Sequence, residues 1–211
     1  MSFAAPRDTD RDEYASYLAA PVHTRKQVLD RPSPVPAAAG VYGWWFRQLP
    51  SSMDTSKCAT KDGLTLLYTG ISPSKPPSNG KLPSTQNLRK RIRTHFTGNA
   101  AGSTLRLTLG CLVAEQIGIE LRRVGSGARY TFVTGETALS QWMAENAVVS
   151  WIEHPEPWVL EHRLISDLDV PLNIEGNSHN TFHPNLRQVR ATAKRRADEL
   201  PVLPNPGVGG K

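Results

Sequence analysis

Residues 89–96 read RKRIRTHF, and four of these eight positions carry a full positive charge. Leu88, Ile92 and Phe96 recur every fourth residue, so the segment reads as a helix with one buried stripe. Arg91 and His95 are also four apart and share a face beside that stripe, not opposite it. An arginine there presents a planar fork of donors matched to a phosphate. A histidine one turn on supplies a second donor or a base. The same spacing suits a boundary histidine next to a solvated arginine. Arg89, Lys90 and Arg93 point further out, as solubility charges or as contacts to a phosphate backbone.

A second position breaks good folding practice. Trp158, Leu164, Ile165 and Leu168 form the apolar stripe of a helix over 157–169, and Glu161 falls inside it. A carboxylate there must be paired, coordinated or costly. A core arginine would make it a structural ion pair; a bound cation or a reacting group would make it a metal ligand or an acid. Elsewhere the signals are thinner. His179 and His183 stand four apart in HNTFH, without helical cues and with too few ligands for zinc. VGSGAR at 124–129 is neither a P-loop nor a dinucleotide fingerprint, and no Gly-x-Ser-x-Gly elbow is present.

The chain of 211 residues has 25 Lys+Arg against 19 Asp+Glu, a net charge of +6. The distribution says more than the total. From Lys75 to Arg106 there are seven cations (Lys75, Lys81, Arg89, Lys90, Arg91, Arg93 and Arg106) and no acid. A second acid-free run holds Arg187, Arg190, Lys194, Arg195 and Arg196. Such clusters attract polyanions, nucleic acid first among them. Lys81, Arg89, Lys90, Arg93, Arg106, Arg187, Arg190 and Lys194 are therefore the expected nucleic-acid contacts, the last three spaced i, i+3, i+7 to track a phosphate backbone. Cys58 and Cys111 lack metal or redox spacing and read as ordinary thiols. The N-terminus has no apolar signal-peptide core, and no run approaches the ~18–20 apolar residues that cross a bilayer. A cytoplasmic protein without a membrane partner is expected.

These residues need a scaffold. Residues 1–36 read as a helical arm (9–30) and a Pro-rich connector. GVYGWWF (40–46), LTLLYTG (64–70) and AVVSWIEH (147–154) read as strands. Four prolines and a glycine make 72–84 a loop, with a helix starting at Ser84 or Thr85. Further helices are expected over 104–116 (capped by Ser103), 137–146, 157–169 and 185–200, with a short hairpin around GSGA. Residues 178–200 form a basic C-terminal helix and 201–211 a disordered tail. The fold class is α+β: a small, mainly antiparallel three-stranded sheet flanked by helices, with helical N- and C-terminal extensions.

GVY at 40–42 and YTG at 68–70 resemble the two signature tripeptides of the GIY-YIG endonuclease superfamily. That family sets the tripeptides on adjacent antiparallel strands. An arginine on the next helix follows, with a histidine or tyrosine four residues on in several branches; Arg91 and His95 match. A glutamate on a later helix, matched by Glu161, precedes a turn carrying an asparagine, matched by Asn173 in PLN. The Glu-to-Asn interval is similar to that in the nuclease domain of bacterial excision-repair incision subunits. The resemblance covers residues 37–177. Val41 and Thr69 replace isoleucines, both β-branched and suited to strands. Ile71 stands where the repair branch often has lysine, and loop 72–84 is longer than the minimal version, so a separate branch is implied.

The resemblance implies a divalent-metal-dependent endonuclease hydrolysing phosphodiester bonds in DNA, with RNA not excluded; the alternative is a non-cleaving nucleic-acid-binding module on the same fold. It implies Mg2+ or Mn2+ at Glu161, a phosphate clamp in Arg91, and Tyr42 as the leading base with His95 as its rival. Tyr68 and His95 would orient water or phosphate, and Asn173 would organise the site. Gly40 and Gly70 would be structural, Gly70 by letting the backbone turn closely at a strand end. A homodimer is one route to a double-strand break.

Overall fold

The computed structural model describes residues 8–205, and side chains from Asp12 onward. The elements run α1 (Asp8–Ala19), α2 (Arg25–Leu29), β1 (Gly40–Phe46), β2 (Thr60–Lys61), β3 (Leu64–Ser72), α3 (Leu88–Thr97), α4 (Thr104–Ile117), β4 (Arg122–Val124), β5 (Arg129–Thr131), α5 (Gly135–Asn146), β6 (Ala147–Glu153), α6 (Pro157–Asp167) and α7 (His183–Glu199). The class is α+β, but the main sheet has four strands in the order β2-β3-β1-β6, not three. The extra strand, β2, is only two residues long and pairs with the start of β3. Two residues are too few to carry an alternating pattern, so the sequence offers no sign of it.

β1 is central and antiparallel to both β3 and β6. Every residue of β1 is buried, because helices cover both faces of the sheet. One face carries Tyr42, Trp44, Phe46 and Leu67, packed against residues of α3, α4, α5 and α7. The other carries Val41, Trp45, Leu64 and Leu66, packed against Tyr17 of α1 and Leu160, Leu164 and Ile165 of α6. The register between β1 and β3 shifts between Trp44 and Trp45. This bulge leaves Leu67 unpaired and lets Leu67 and Tyr68 both pack on the first face. It is the device that turns Tyr68 toward Tyr42.

The expected arm is two helices, not one. Between them His23 exchanges backbone hydrogen bonds with Val149 and stacks on Trp151, and Thr24 closes a capping box with Gln27 that starts α2. α3 begins later than expected because Asn87, not Ser84 or Thr85, accepts the Lys90 N–H as its cap. Ser103 caps α4 as expected. α7 is no appendage: Leu186 and Ala197 are fully buried in the first core. The start of the supposed tail is also held, since Leu203 bridges β4 and its N–H donates to the Arg123 carbonyl. Residues 206–211 lie outside the described residues. Among the described residues, no helix is long and apolar enough to cross a membrane.

Candidate active site

β3 has a strand neighbour on one side only beyond Leu66, since β2 pairs with Thr65 and Leu64 alone. An open edge of this kind leaves backbone groups unsatisfied. Here a side chain fills the gap. The Asn173 amide accepts from the Thr69 N–H at 2.9 Å and donates to the Thr69 carbonyl at 2.8 Å. Both bonds are buried, and they fix the middle residue of the YTG tripeptide. Asn173 is held in turn by the Asn177 side chain, which donates to its carbonyl at 3.1 Å. On the other face of the sheet, Tyr17 of α1 donates to Thr69 Oγ1 at 2.9 Å. Neither Asn177 nor Tyr17 carries a sequence signal linking it to the site.

Beside this edge opens a cavity of about 900 Å³. Tyr42, Tyr68, Arg91, Glu161, Asn173 and Arg190 are among its lining residues. They arrive from β1, β3, α3, α6, the loop after α6, and α7. Five of the six residues expected to act together thus share one space. The sixth, His95, lies behind Tyr42 and is fully buried. Its Nε2 is 2.8 Å from the Tyr42 hydroxyl, and its Nδ1 is 2.7 Å from Ser103 Oγ. Ser103 Oγ also accepts the Arg106 N–H that caps α4. Burial, then Arg91 and Arg106, push the His95 pKa well below its ordinary value. The ring is neutral and has one N–H, so it donates to one neighbour and accepts from the other.

The two tyrosines resist ionisation. Burial raises the pKa of Tyr42, while the adjacent Arg91 guanidinium pulls it back down. Tyr68 is raised well above its usual value by burial and by Tyr42. Gly70 sits opposite Tyr42 in the ladder. A Cβ there would lie 2.7 Å from the Tyr42 hydroxyl. The glycine therefore makes room for the phenol in mid-strand; it does not turn the chain at a strand end. A Cβ on Gly40 would meet the Ile152 carbonyl at 2.2 Å, so that position is set by strand packing.

Glu161 forms no ion pair among the described residues. Burial and the neighbouring Glu175 raise its pKa to about 7, against a smaller lowering by Arg91. A buried core arginine does exist, but its carboxylate is Glu136. A half-buried carboxylate that faces a cavity without a positive partner fits a cation. Among the described residues, no three His, Cys, Asp or Glu side chains cluster as a ligand set. The donor set therefore suits a hard cation that keeps most of its waters, and Glu161 would hold it. His179 and His183 join no such cluster.

The cations separate into several kinds. Arg106 is not a surface contact to nucleic acid: it is fully buried, with its guanidinium 2.6 Å from Glu136 and 3.2 Å from the His95 carbonyl. It supports the histidine's helix from behind. The adjoining LTLGCLV run was the available sign, since an arginine in so apolar a helix must be paired. Arg89 reaches back to the Val35 carbonyl at 2.6 Å and pins the Pro-rich connector. Lys194 lies 5.3 Å over the Tyr130 ring. Lys81, Lys90, Arg93 and Arg187 are exposed. Arg190 enters the cavity, which its place in an i, i+3, i+7 stripe does not reveal.

Residues 40–192 match the family model described as the GIY-YIG catalytic domain. No curated protein and no solved structure matches the chain.

Proposed function

The chain belongs to the GIY-YIG family, and from that nuclease-type membership we propose that it is a divalent-metal-dependent endonuclease that hydrolyses phosphodiester bonds in DNA. The observation that carries this reading is the meeting of Tyr42, Tyr68, Arg91 and Glu161 in one cavity from four separate elements. Mg2+ or Mn2+ at Glu161 would supply charge stabilisation to the phosphate and the departing oxygen.

The protein's own groups divide the remaining work. Arg91, half-buried and held by the Gly102 carbonyl at 3.1 Å, donates to a non-bridging phosphate oxygen. Tyr42 takes the proton of the attacking water as its phenolate, a form that burial disfavours and that a cation held at Glu161 would help to supply. That form is supported by Arg91 on one side and by a donated Nε2–H of His95 on the other. Ser103 then donates to Nδ1 of His95, so the buried chain of hydrogen bonds runs from the α4 cap toward the phenol oxygen. His95 acts through Tyr42, because it has no face on the cavity. Tyr68 orients water or phosphate, and Asn173 holds the strand that carries it. Lys81, Lys90, Arg93 and Arg187 supply salt-sensitive contacts to flanking phosphates.

Incubation with supercoiled, linear and branched DNA, and with RNA, in Mg2+ or Mn2+ tests the reading. Nicking by the wild type and its loss in Glu161→Ala, with salt-sensitive binding retained, is the expected result. Binding without cleavage in any metal would instead indicate a binding module on the nuclease fold. Two copies acting together would produce double-strand breaks, and sizing the protein on DNA would reveal them.

A further inference from the structure

Two arginines line the cavity, and neither has a carboxylate partner among the described residues. Arg91 belongs to the catalytic set. Arg190 comes from α7. Among the described residues, the one hydrogen bond of its guanidinium is a long 3.4 Å contact to Thr108 Oγ1 on α4. Most of its five N–H donors remain for a ligand. Arg106, Arg123 and Arg163, also drawn into the protein, are paired with Glu136, Asp198 and Glu13. Glu175 lines the same cavity and acts on Arg190 through space without a direct ion pair, and a half-buried guanidinium so placed is costly until an anion contacts it. The helix that carries it is fixed, since Leu186 one turn earlier is fully buried in the core. The cavity is also far larger than one phosphate group requires.

We propose that Arg190 forms a second phosphate-binding subsite within the catalytic cavity, holding a phosphate of the substrate strand next to the one clamped by Arg91. This assignment rests on the nuclease reading of the same cavity and deepens it: the substrate is a strand with at least two consecutive phosphodiesters in the site. It also gives α7 a role in the reaction centre instead of along a distant backbone.

The test is a set of duplexes in which one phosphate at a time is replaced by a neutral methylphosphonate. Binding is measured by fluorescence anisotropy in the Glu161→Gln background, so that no strand is cut. Neutralising the scissile phosphate or its neighbour is expected to weaken binding about tenfold each, the scale of one charge-assisted contact. Adding Arg190→Gln should abolish the response at the neighbouring phosphate alone, and adding Arg91→Gln the response at the scissile phosphate alone. Arg190→Lys keeps the stem and charge but not the fork, and should retain part of the neighbouring response. If Arg190→Gln fails to fold, the reduced response of Arg190→Lys carries the test. A full response at every position in both Arg190 variants would overturn the proposal. Wild-type cleavage of the unmodified duplex is scored alongside, so loss of the nuclease reading is seen separately from loss of the subsite.

Discussion

Nε2 of His95 lies 2.8 Å from the Tyr42 hydroxyl, with the ring wholly enclosed by protein. In the proposed reaction the histidine therefore acts through the phenol. Replacing His95 with Ala removes a donor to the Tyr42 oxygen and should shift the rising limb of the pH–rate profile to higher pH. At neutral pH the single-turnover rate should fall about 10²–10⁴-fold, the usual worth of acid–base assistance. A profile with unchanged shape and uniformly lower rates would assign His95 to packing alone.

Glu161 gives a stability prediction with a definite sign. Its carboxyl pKa is raised from 4.5 to about 7 in the fold. The folded chain then holds a proton that the unfolded chain releases, so stability falls as pH rises through that window. In EDTA, Glu161→Gln should melt higher than wild type near pH 8, by several degrees for a cost of up to about 3 kcal/mol. Near pH 4 the two should melt together. Equal melting temperatures at both pH values would mean that the carboxylate is satisfied without a cation.

Asn173 spends its amide on the Thr69 backbone. Asn173→Ala leaves a buried N–H and a buried carbonyl without partners and should cost about 2–4 kcal/mol. Asn173→Asp keeps the acceptor but sets a carboxylate oxygen against the Thr69 carbonyl, so it should not restore stability at neutral pH. Chemical denaturation of both variants checks this. A wild-type midpoint for either would show that the open edge of β3 is held by other groups.

Gly70→Ala places a methyl carbon 2.7 Å from the Tyr42 hydroxyl. The phenol must move, and a displacement near 1 Å costs on the order of 10²-fold in rate. The expected outcome is a folded protein, by circular dichroism, with DNA binding retained and cleavage reduced by at least that factor. Wild-type cleavage would remove Tyr42 from the reaction centre.

Glu161 is legible because it interrupts an apolar stripe at a position that periodicity fixes, whereas the two tripeptides fit ordinary strands and, with Arg91 and His95, point to one site only through their resemblance in type and order to a known family. Depth is not legible in the same way. Arg106 and Lys90 both belong to one acid-free basic window, yet Arg106 is sealed beneath Glu136 and Lys90 is exposed. The partner that decides this lies thirty residues on, at the start of α5. Arg190 is hidden for a similar reason: its stripe on α7 is visible, but the docking of α7 on α4 is a tertiary fact. The β3 bulge, which brings Tyr68 to the same face as Leu67, leaves no mark in local composition.

Cleavage of an end-labelled duplex under single-turnover conditions, at enzyme concentrations that saturate the DNA, tests the central claim most directly. The wild type should cut with Mg2+ or Mn2+ and stop in EDTA. Glu161→Gln should occupy the DNA equally and cut at least about 10³-fold more slowly, the scale of losing a principal electrostatic element. A wild-type rate in Glu161→Gln, or undiminished cutting by the wild type in EDTA, would contradict a cation-bearing reaction centre at this cavity.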